Sequence, residues 1–206
     1  AQERTLAISP KMMLWDFLNH IDQTATLAIN SIHSPATDSV WQVFSNRQIW
    51  FVLYGVVLVF FFIRLGWKKA IIVVLSCILT VVVCDQFANF TKEFFARLRP
   101  CWDSYMVRHG LHMVEGKGNL YGFYSAHAAN AFGFAVCSLH GFKNDSSHDY
   151  KLYNILIYVW GLLVGISRIF VGKHFLGDVL VGFFIGWLFA WIISRLARML
   201  IQRLRL

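Results

Sequence analysis

The amino-acid sequence predicts an all-α protein, a polytopic bundle of helices that is embedded in a membrane. Of its 206 residues, 57% are hydrophobic and only 15% are charged. A soluble domain usually has about 45–50% apolar and about 25% charged residues, so this chain has too few charges to cover a soluble globule. The same composition excludes a disordered chain and a small disulfide-stabilised domain. We therefore expect a single membrane-embedded domain over residues 1–206.

Five apolar stretches are candidates for membrane-crossing helices. A helix needs roughly 20 mostly apolar residues to cross the hydrocarbon core. The stretches lack the alternation of apolar and polar residues that marks a β-strand, so we expect helices. They cover residues 49–65, 70–90, 126–142, 153–170 and 179–200.

The N-terminal residues 1–47 have a different pattern and are predicted to lie at the membrane interface. Within residues 12–33, apolar side chains recur at helical spacing, but polar side chains interrupt any continuous apolar span. This pattern favours an amphipathic helix on the membrane surface, with a sixth membrane-crossing helix as the alternative. Pro35 is then expected to break the chain before the first span. The apolar positions are Leu14, Phe17, Leu18 and Ile21.

The charge distribution predicts the orientation. The chain has 19 Lys and Arg residues against 11 Asp and Glu residues. If the five spans alternate, the basic clusters in 64–69, 143–151 and 195–205 share one side, which the positive-inside rule assigns to the cytoplasm. Residues 97–124 and the turn around His174 then face the opposite side, which in a bacterial inner membrane is the periplasm. Basic residues on that side suggest a bound anion, and nothing in the sequence indicates a nucleic-acid-binding module.

The four cysteines predict neither a metal centre nor a redox motif. No two of them have the Cys-x-x-Cys spacing of such sites. Buried cysteines in apolar runs usually act as small hydrophobic residues. The cysteines are Cys77, Cys84, Cys101 and Cys137.

The first group of candidate site residues lies at the end of the second span. Lys92 and Arg99 are seven residues apart, so two helical turns would place them on the same side of a helix that Pro100 ends. Arg97 would then lie roughly 200° away from Arg99 around the helix. Asp85 lies on the stripe of Lys92, and we expect the two side chains to pair. Alone, such basic residues could equally be anchors at a membrane surface.

Two further groups lie at the starts of the third and fifth spans. Ser125 and His127 stand where a helix N-terminus would offer free backbone N–H groups to a phosphate. His174 and Asp178 are four residues apart, so the carboxylate could fix the imidazole tautomer and leave the other nitrogen as a base or nucleophile. Arg168 precedes this pair. A helix cap and a structural His–Asp pair are the alternative readings.

Together the three groups resemble the type-2 phosphatidic acid phosphatase (PAP2) family. The resemblance covers residues 92–178 and rests on Lys-x6-Arg-Pro, Ser-x-His and Ser-Arg-x5-His-x3-Asp, in the family's order. The chain departs from it at Tyr124 and Ala126, where the family usually has proline and glycine. The resemblance implies a six-helix bundle that needs no metal or other cofactor.

The resemblance also implies a role for each residue. His174 would attack phosphorus and form a phosphohistidine, with Asp178 orienting it. His127 would protonate the leaving oxygen and then activate water. The phosphate oxygens would be held by Lys92, Arg99, Ser125 and Arg168.

These expectations predict a membrane lipid phosphatase. Its substrate would be a phosphorylated membrane lipid: a lipid A phosphate, undecaprenyl diphosphate, phosphatidylglycerophosphate or phosphatidic acid. The departure in the second motif and the loop that follows Cys101 keep lipid A prominent. The alternatives are a relative of the vanadate-dependent peroxidases and a non-catalytic lipid-binding membrane protein. The sequence gives no indication of the oligomeric state.

Overall fold

The computed structural model describes residues 10–206, and within them the fold is entirely helical. The predicted all-α class is therefore confirmed. A short 3-10 helix, Pro100–Trp102, follows the third α-helix. The α-helices are α1 (Pro10–Asn30), α2 (Pro35–Ser45), α3 (Phe51–Phe95), α4 (Ser104–Arg108), α5 (Ala126–Phe142), α6 (Lys151–Phe170) and α7 (Leu176–Arg203).

Three of these helices, α3, α6 and α7, are long and apolar enough to cross a membrane. The 45 residues of α3 contain one break, because Gly66 has non-helical backbone angles (φ 72°, ψ 158°). The positive φ is one that glycine adopts without a steric cost.

The chain turns back on itself at this break. A Cβ atom on Gly141 of α5 would lie 3.0 Å from a ring carbon of Phe61 and would also contact the Val73 side chain. In a straight helix these two residues would be about 18 Å apart along the axis. The segments 51–65 and 67–95 therefore pack side by side against α5.

Close backbone packing holds α5 between α3 and α7. A Cβ atom on Gly133 of α5 would lie 3.1 Å from the carbonyl oxygen of Gly186 in α7 and 3.1 Å from the Thr80 methyl group in α3. At the ends of the same helices, the Ser125 backbone N–H donates to the Asp178 carbonyl oxygen over 3.1 Å. This packing brings the N-terminal ends of α5 and α7 together.

The short helix α2 corrects one expectation. Pro35 was expected to break the chain, but it occupies the first turn of α2. Proline is well tolerated there because the first helical N–H groups have no partner within the helix. Ser34 caps this helix, and its hydroxyl accepts a hydrogen bond from the Thr37 backbone N–H at 3.2 Å.

Helix α1 confirms that the N-terminal segment is helical, and its polar side faces the protein. Gln23, Thr26 and Asn30 are buried, whereas the apolar side chains in its first half, such as Phe17 at 60% exposed, lie on the outer surface. The Asn30 amide donates to the carbonyl oxygens of Ile169 and Phe170 at the end of α6. A polar inner face with an apolar outer face is the reverse of the pattern in a soluble protein.

Candidate active site

Five of the seven predicted site residues line one cavity of about 620 Å³. It lies between the C-terminal ends of α3 and α6 and the N-terminal ends of α5 and α7. Its lining includes two histidines, the three basic side chains expected to bind phosphate, and two polar residues of α3 and α5. They are His127, His174, Lys92, Arg99, Arg168, Asp85 and Asn130.

His174 lies at the base of this cavity and is only 2% exposed. Its Nδ1 atom is 3.4 Å from Oδ2 of Asp178, and its Nε2 atom is 3.5 Å from a guanidinium nitrogen of Arg99. Since a carboxylate only accepts hydrogen bonds and a guanidinium only donates them, Nδ1 carries the proton and Nε2 holds the free electron pair. The tautomer is the one that a nucleophilic histidine requires.

The surroundings of His174 also keep it uncharged. Burial lowers the pKa of His174 well below its usual value, and the nearby cations Arg99, Arg168 and Lys92 lower the pKa further. A neutral imidazole retains the electron pair on Nε2. At neutral pH the side chain is therefore ready to attack an electrophile.

Asp178 is fully buried and holds several elements of the site. Its Oδ2 accepts a hydrogen bond from the Phe175 backbone N–H at 3.1 Å. Its Oδ1 accepts one from Arg97 at 2.7 Å. Such partners are needed because a buried carboxylate without them would be strongly destabilising.

Arg97 has a role that the sequence interpretation missed. Besides its contact with Asp178, it forms an ion pair with Asp22 of α1 at 2.7 Å. Its guanidinium carbon lies 4.2 Å from the centre of the Phe175 ring. Arg97 thus connects α1 to the carboxylate that orients His174, and no local motif marks this connection.

The prediction that Lys92 and Arg99 lie on the same face of a helix is wrong. The helix ends at Phe95, because Ala96 adopts the left-handed conformation with φ 46°. Arg99 is positioned instead by an irregular segment, where its backbone N–H donates to the Leu120 carbonyl oxygen and its Nε atom to the Tyr121 carbonyl oxygen. The irregular segment brings Arg99 to the cavity that Lys92 also lines. Pro100 begins the 3-10 helix and does not end α3.

Asp85 does not form the expected ion pair with Lys92. Among the ion pairs within residues 10–206 there is none between the two, and the Asp85 carboxylate accepts a hydrogen bond from Asn130 of α5 at 3.4 Å. Both side chains still line the same cavity.

Arg168 is 5% exposed and is held by residues that the sequence did not suggest. It donates to the hydroxyl of Ser45 at the end of α2. The Glu115 carboxylate lies 3.7 Å from it and 4.0 Å from Lys173. These partners are 123 and 53 residues away along the chain, so sequence spacing could not reveal them.

Ser125 and His127 take the positions expected at the start of α5. Ser125 is the N-cap residue, and its hydroxyl accepts a hydrogen bond from the Ala128 backbone N–H at 3.4 Å. The side chain is fully buried next to the cavity. His127 lines the cavity together with His174.

The apolar helices and this cation-lined histidine cavity define a membrane-embedded phosphatase. The profile of the PAP2 superfamily matches residues 69–202. The chain belongs to this superfamily.

Two relatives are similar over most of the sequence. A lipid A 4'-phosphatase of Bacteroides thetaiotaomicron is 31% identical over 192 residues, which cover 92% of this chain and 83% of the relative. A lipid A 4'-phosphatase of Porphyromonas gingivalis is 28% identical over 172 residues, which cover 83% of this chain and 70% of the relative.

Two crystal structures have a similar fold. A transmembrane PAP2-type phosphatidylglycerolphosphate phosphatase from Bacillus subtilis superimposes with a TM-score of 0.69 at 20% identity, covering 88% of this chain and 87% of the other. LpxE of Aquifex aeolicus superimposes with a TM-score of 0.66 at 24% identity, covering 84% and 93%.

The Arg97–Asp178 ion pair predicts that Arg97→Ala lowers activity. The substitution leaves the buried Asp178 carboxylate without its cation, so the carboxylate no longer holds the His174 ring. We expect kcat to fall roughly 10–100-fold, as when a partner that orients a functional histidine is lost. Arg108→Ala is the control, since this exposed arginine donates to the Ser104 carbonyl oxygen and has no other side-chain partner within residues 10–206. Wild-type kcat in Arg97→Ala would refute the positioning role.

Proposed function

We propose that this protein removes a phosphate group from lipid A, through a phosphohistidine intermediate on His174. The observation that carries the proposal is the buried His174, held between Asp178 and the guanidinium of Arg99 in a cavity that Lys92 and Arg168 also line. The two relatives named lipid A 4'-phosphatase support the choice of lipid.

The first chemical step forms a bond between His174 and phosphorus. The electron pair on Nε2 attacks the phosphorus atom in line with the leaving oxygen, and the P–O bond to the lipid breaks. The Asp178 carboxylate accepts the hydrogen bond from Nδ1–H and stabilises the positive charge that develops on the ring. His127 donates a proton to the leaving oxygen, so the lipid departs as an alcohol.

The second step returns the enzyme to its starting state. His127, now neutral, takes a proton from a water molecule that attacks the phosphohistidine. The P–N bond breaks, its electron pair returns to Nε2 of His174, and inorganic phosphate is released.

The basic residues supply the electrostatic stabilisation of both steps. Lys92, Arg99 and Arg168 neutralise the non-bridging phosphate oxygens as charge develops, and fixed cations in a water-poor cavity do this effectively. Ser125 keeps the N-terminal end of α5 in place, where its free backbone N–H groups face the same anion. These groups provide the charge neutralisation that a metal ion provides in many other phosphoryl-transfer enzymes.

In this proposal five helical segments cross the membrane: 51–65, 67–95, α5, α6 and α7. Helix α1 lies with its apolar outer face in lipid. The basic residues in 64–69, 143–151 and 195–205 mark the cytoplasmic side of a bacterial inner membrane. The cavity then opens to the periplasmic side.

A substrate panel tests the proposed activity. We expect the purified protein in EDTA to release phosphate from lipid A with a higher kcat/KM than from undecaprenyl diphosphate, phosphatidylglycerophosphate or phosphatidic acid. His174→Ala should abolish release because it removes the nucleophile. His109→Ala should not, because His109 contacts the Tyr105 carbonyl oxygen in the loop.

Each result of this panel has a distinct meaning. Turnover of another lipid without turnover of lipid A would refute the substrate. Activity in His174→Ala would refute the nucleophile. Loss of activity in EDTA that magnesium or calcium restores would refute catalysis by the basic side chains alone.

The proposed role of His127 predicts a dependence on the leaving group. A lipid alkoxide needs a proton to depart, whereas an aryl oxide whose conjugate phenol has a low pKa leaves without one. His127→Ala should therefore lose far more activity toward a lipid monophosphate than toward formation of the phosphoenzyme from an activated aryl phosphate. When His127→Ala is mixed with the activated aryl phosphate, we expect a burst of one phenol per active site and an acid-labile phosphoryl group on His174. Equal losses on both substrates without trapped phosphoenzyme would contradict the acid–base role.

Cysteine labelling tests the orientation. Gly116 and Ser146 are exposed residues of the two loops that flank α5, and all four native cysteines are buried. In intact cells whose outer membrane is permeabilised, we expect an impermeant thiol reagent to label Gly116→Cys and not Ser146→Cys. The opposite result would place the cavity on the cytoplasmic side.

A further inference from the structure

A second cluster of ligating side chains lies outside the active-site cavity. His33 in the α1–α2 connection, Asp38 in the first turn of α2 and His112 in the loop before α5 each place a ligand atom within 4.8 Å of the others. The His112 Nε2 atom is 2.9 Å from Oδ2 of Asp38. The rings of His33 and His112 are stacked with their centres 3.7 Å apart.

From this cluster we propose that His33, Asp38 and His112 bind a divalent transition metal ion, with zinc as the best match. Two imidazole nitrogens and one carboxylate oxygen form a donor set that zinc accepts in a tetrahedral site. Calcium and magnesium are a poor match, because both require a shell composed mainly of oxygen ligands. A water molecule would supply the fourth ligand.

The Asp38 carboxylate has an oxygen atom that is available to bind a metal ion. The Oδ1 atom of Asp38 is buried and has no hydrogen-bond partner. The other carboxylate oxygen contacts His112 only, and no arginine or lysine pairs with Asp38 among the ion pairs of residues 10–206. A buried carboxylate oxygen without a donor is destabilising, and a bound cation removes this cost.

Metal binding requires a small movement of His33. The planes of the two rings are only 5° from parallel, and a metal ion must lie close to the plane of each ligating ring. One ring must therefore rotate, and exposed His33 is free to do so, whereas the His112 backbone is fixed by two hydrogen bonds with the Asn30 amide.

The ion would fasten the N-terminal helices to the loop before α5, whose Asn119 lines the active-site cavity. The carbonyl oxygen of His112 lies so close to Gly172 that a Cβ atom there would be 2.8 Å from it. Gly172 is followed directly by Lys173 and His174. The metal site therefore lies on the outer side of a loop whose inner side packs against the backbone that leads to the nucleophile.

Thermal unfolding of the full chain in detergent tests this site. After treatment with EDTA and its removal, zinc at a hundredfold excess over its Kd should raise Tm by roughly 5–10 °C. His33→Ala and His112→Ala should each lose this increase, and Asp38→Asn should reduce it. Comparing each variant with and without zinc separates metal binding from any change in intrinsic stability.

Two controls locate the metal ion. His109→Ala, three residues from His112 in the same loop, should keep the full increase. His174→Ala should keep it as well, which separates this site from the histidines of the active-site cavity. With cobalt in place of zinc, the visible absorption of a tetrahedral complex should appear in the wild type and be absent in His33→Ala.

Two outcomes would overturn the proposal. One is a wild-type protein whose Tm does not respond to zinc. The other is an equal increase in the wild type, His33→Ala and His112→Ala, which would place the ion elsewhere. Neither outcome depends on phosphatase activity, so the proposed function stands or fails separately.

Discussion

The buried carboxylate of Asp178 is the constraint on which the rest of the site depends. A fully buried negative charge needs a cation and hydrogen-bond donors, or it becomes protonated. Here Arg97 supplies the cation and the Phe175 backbone N–H supplies a donor. Because both partners and His174 surround the same carboxyl group, satisfying Asp178 also fixes the tautomer and position of the imidazole. The stability of this part of the fold and the chemistry of the site therefore rest on the same contacts.

Close packing of small residues explains why the candidate site residues share one end of the bundle. The backbones of α5 and α7 approach each other at Gly133 and Gly186, where side chains would hold the helices apart. This approach aligns the N-terminal ends of the two helices, and the positive ends of their dipoles then point toward the cavity. The arrangement favours an anion even before the arginine and lysine side chains are considered. An anion in the cavity would therefore meet helix dipoles and basic side chains together.

The parts of the site that depend on local spacing could be predicted from the sequence, and those that depend on distant contacts could not. His174 lies just before Phe175, the N-cap residue of α7, and Asp178 lies in the first turn of that helix, so their separation of four residues brings the two side chains together. Ser125 caps the helix that follows it. Short-range geometry was therefore sufficient for both. The position of Arg99 was not predicted correctly. Helix α3 ends at Phe95, and the next residue, Ala96, adopts a left-handed conformation that no sequence rule would favour.

Distant partners left no local signal. Glu115 reaches Arg168 only because the loop before α5 folds back toward the end of α6. Asp22 reaches Arg97 only because α1 packs against the start of α7. Helix α2 was missed for another reason: proline both ends and begins helices, and the local sequence of Pro35 alone does not distinguish the two.

Helix α1 connects an exposed apolar surface to the candidate active site. Its buried residues Gln23, Thr26 and Asn30 all form hydrogen bonds with other parts of the protein, and Asp22 completes the ion pair of Arg97. Leu27 and Ile29 in its second half pack against the protein, but the apolar residues in its first half are exposed, and Phe17 is 60% exposed. In a soluble protein such a helix would be inverted, since its apolar face would be buried and its polar face hydrated. The pattern is stable where lipid covers the outer face. A membrane that holds α1 in place thereby holds Asp22, and through Arg97 it supports the carboxylate that orients His174.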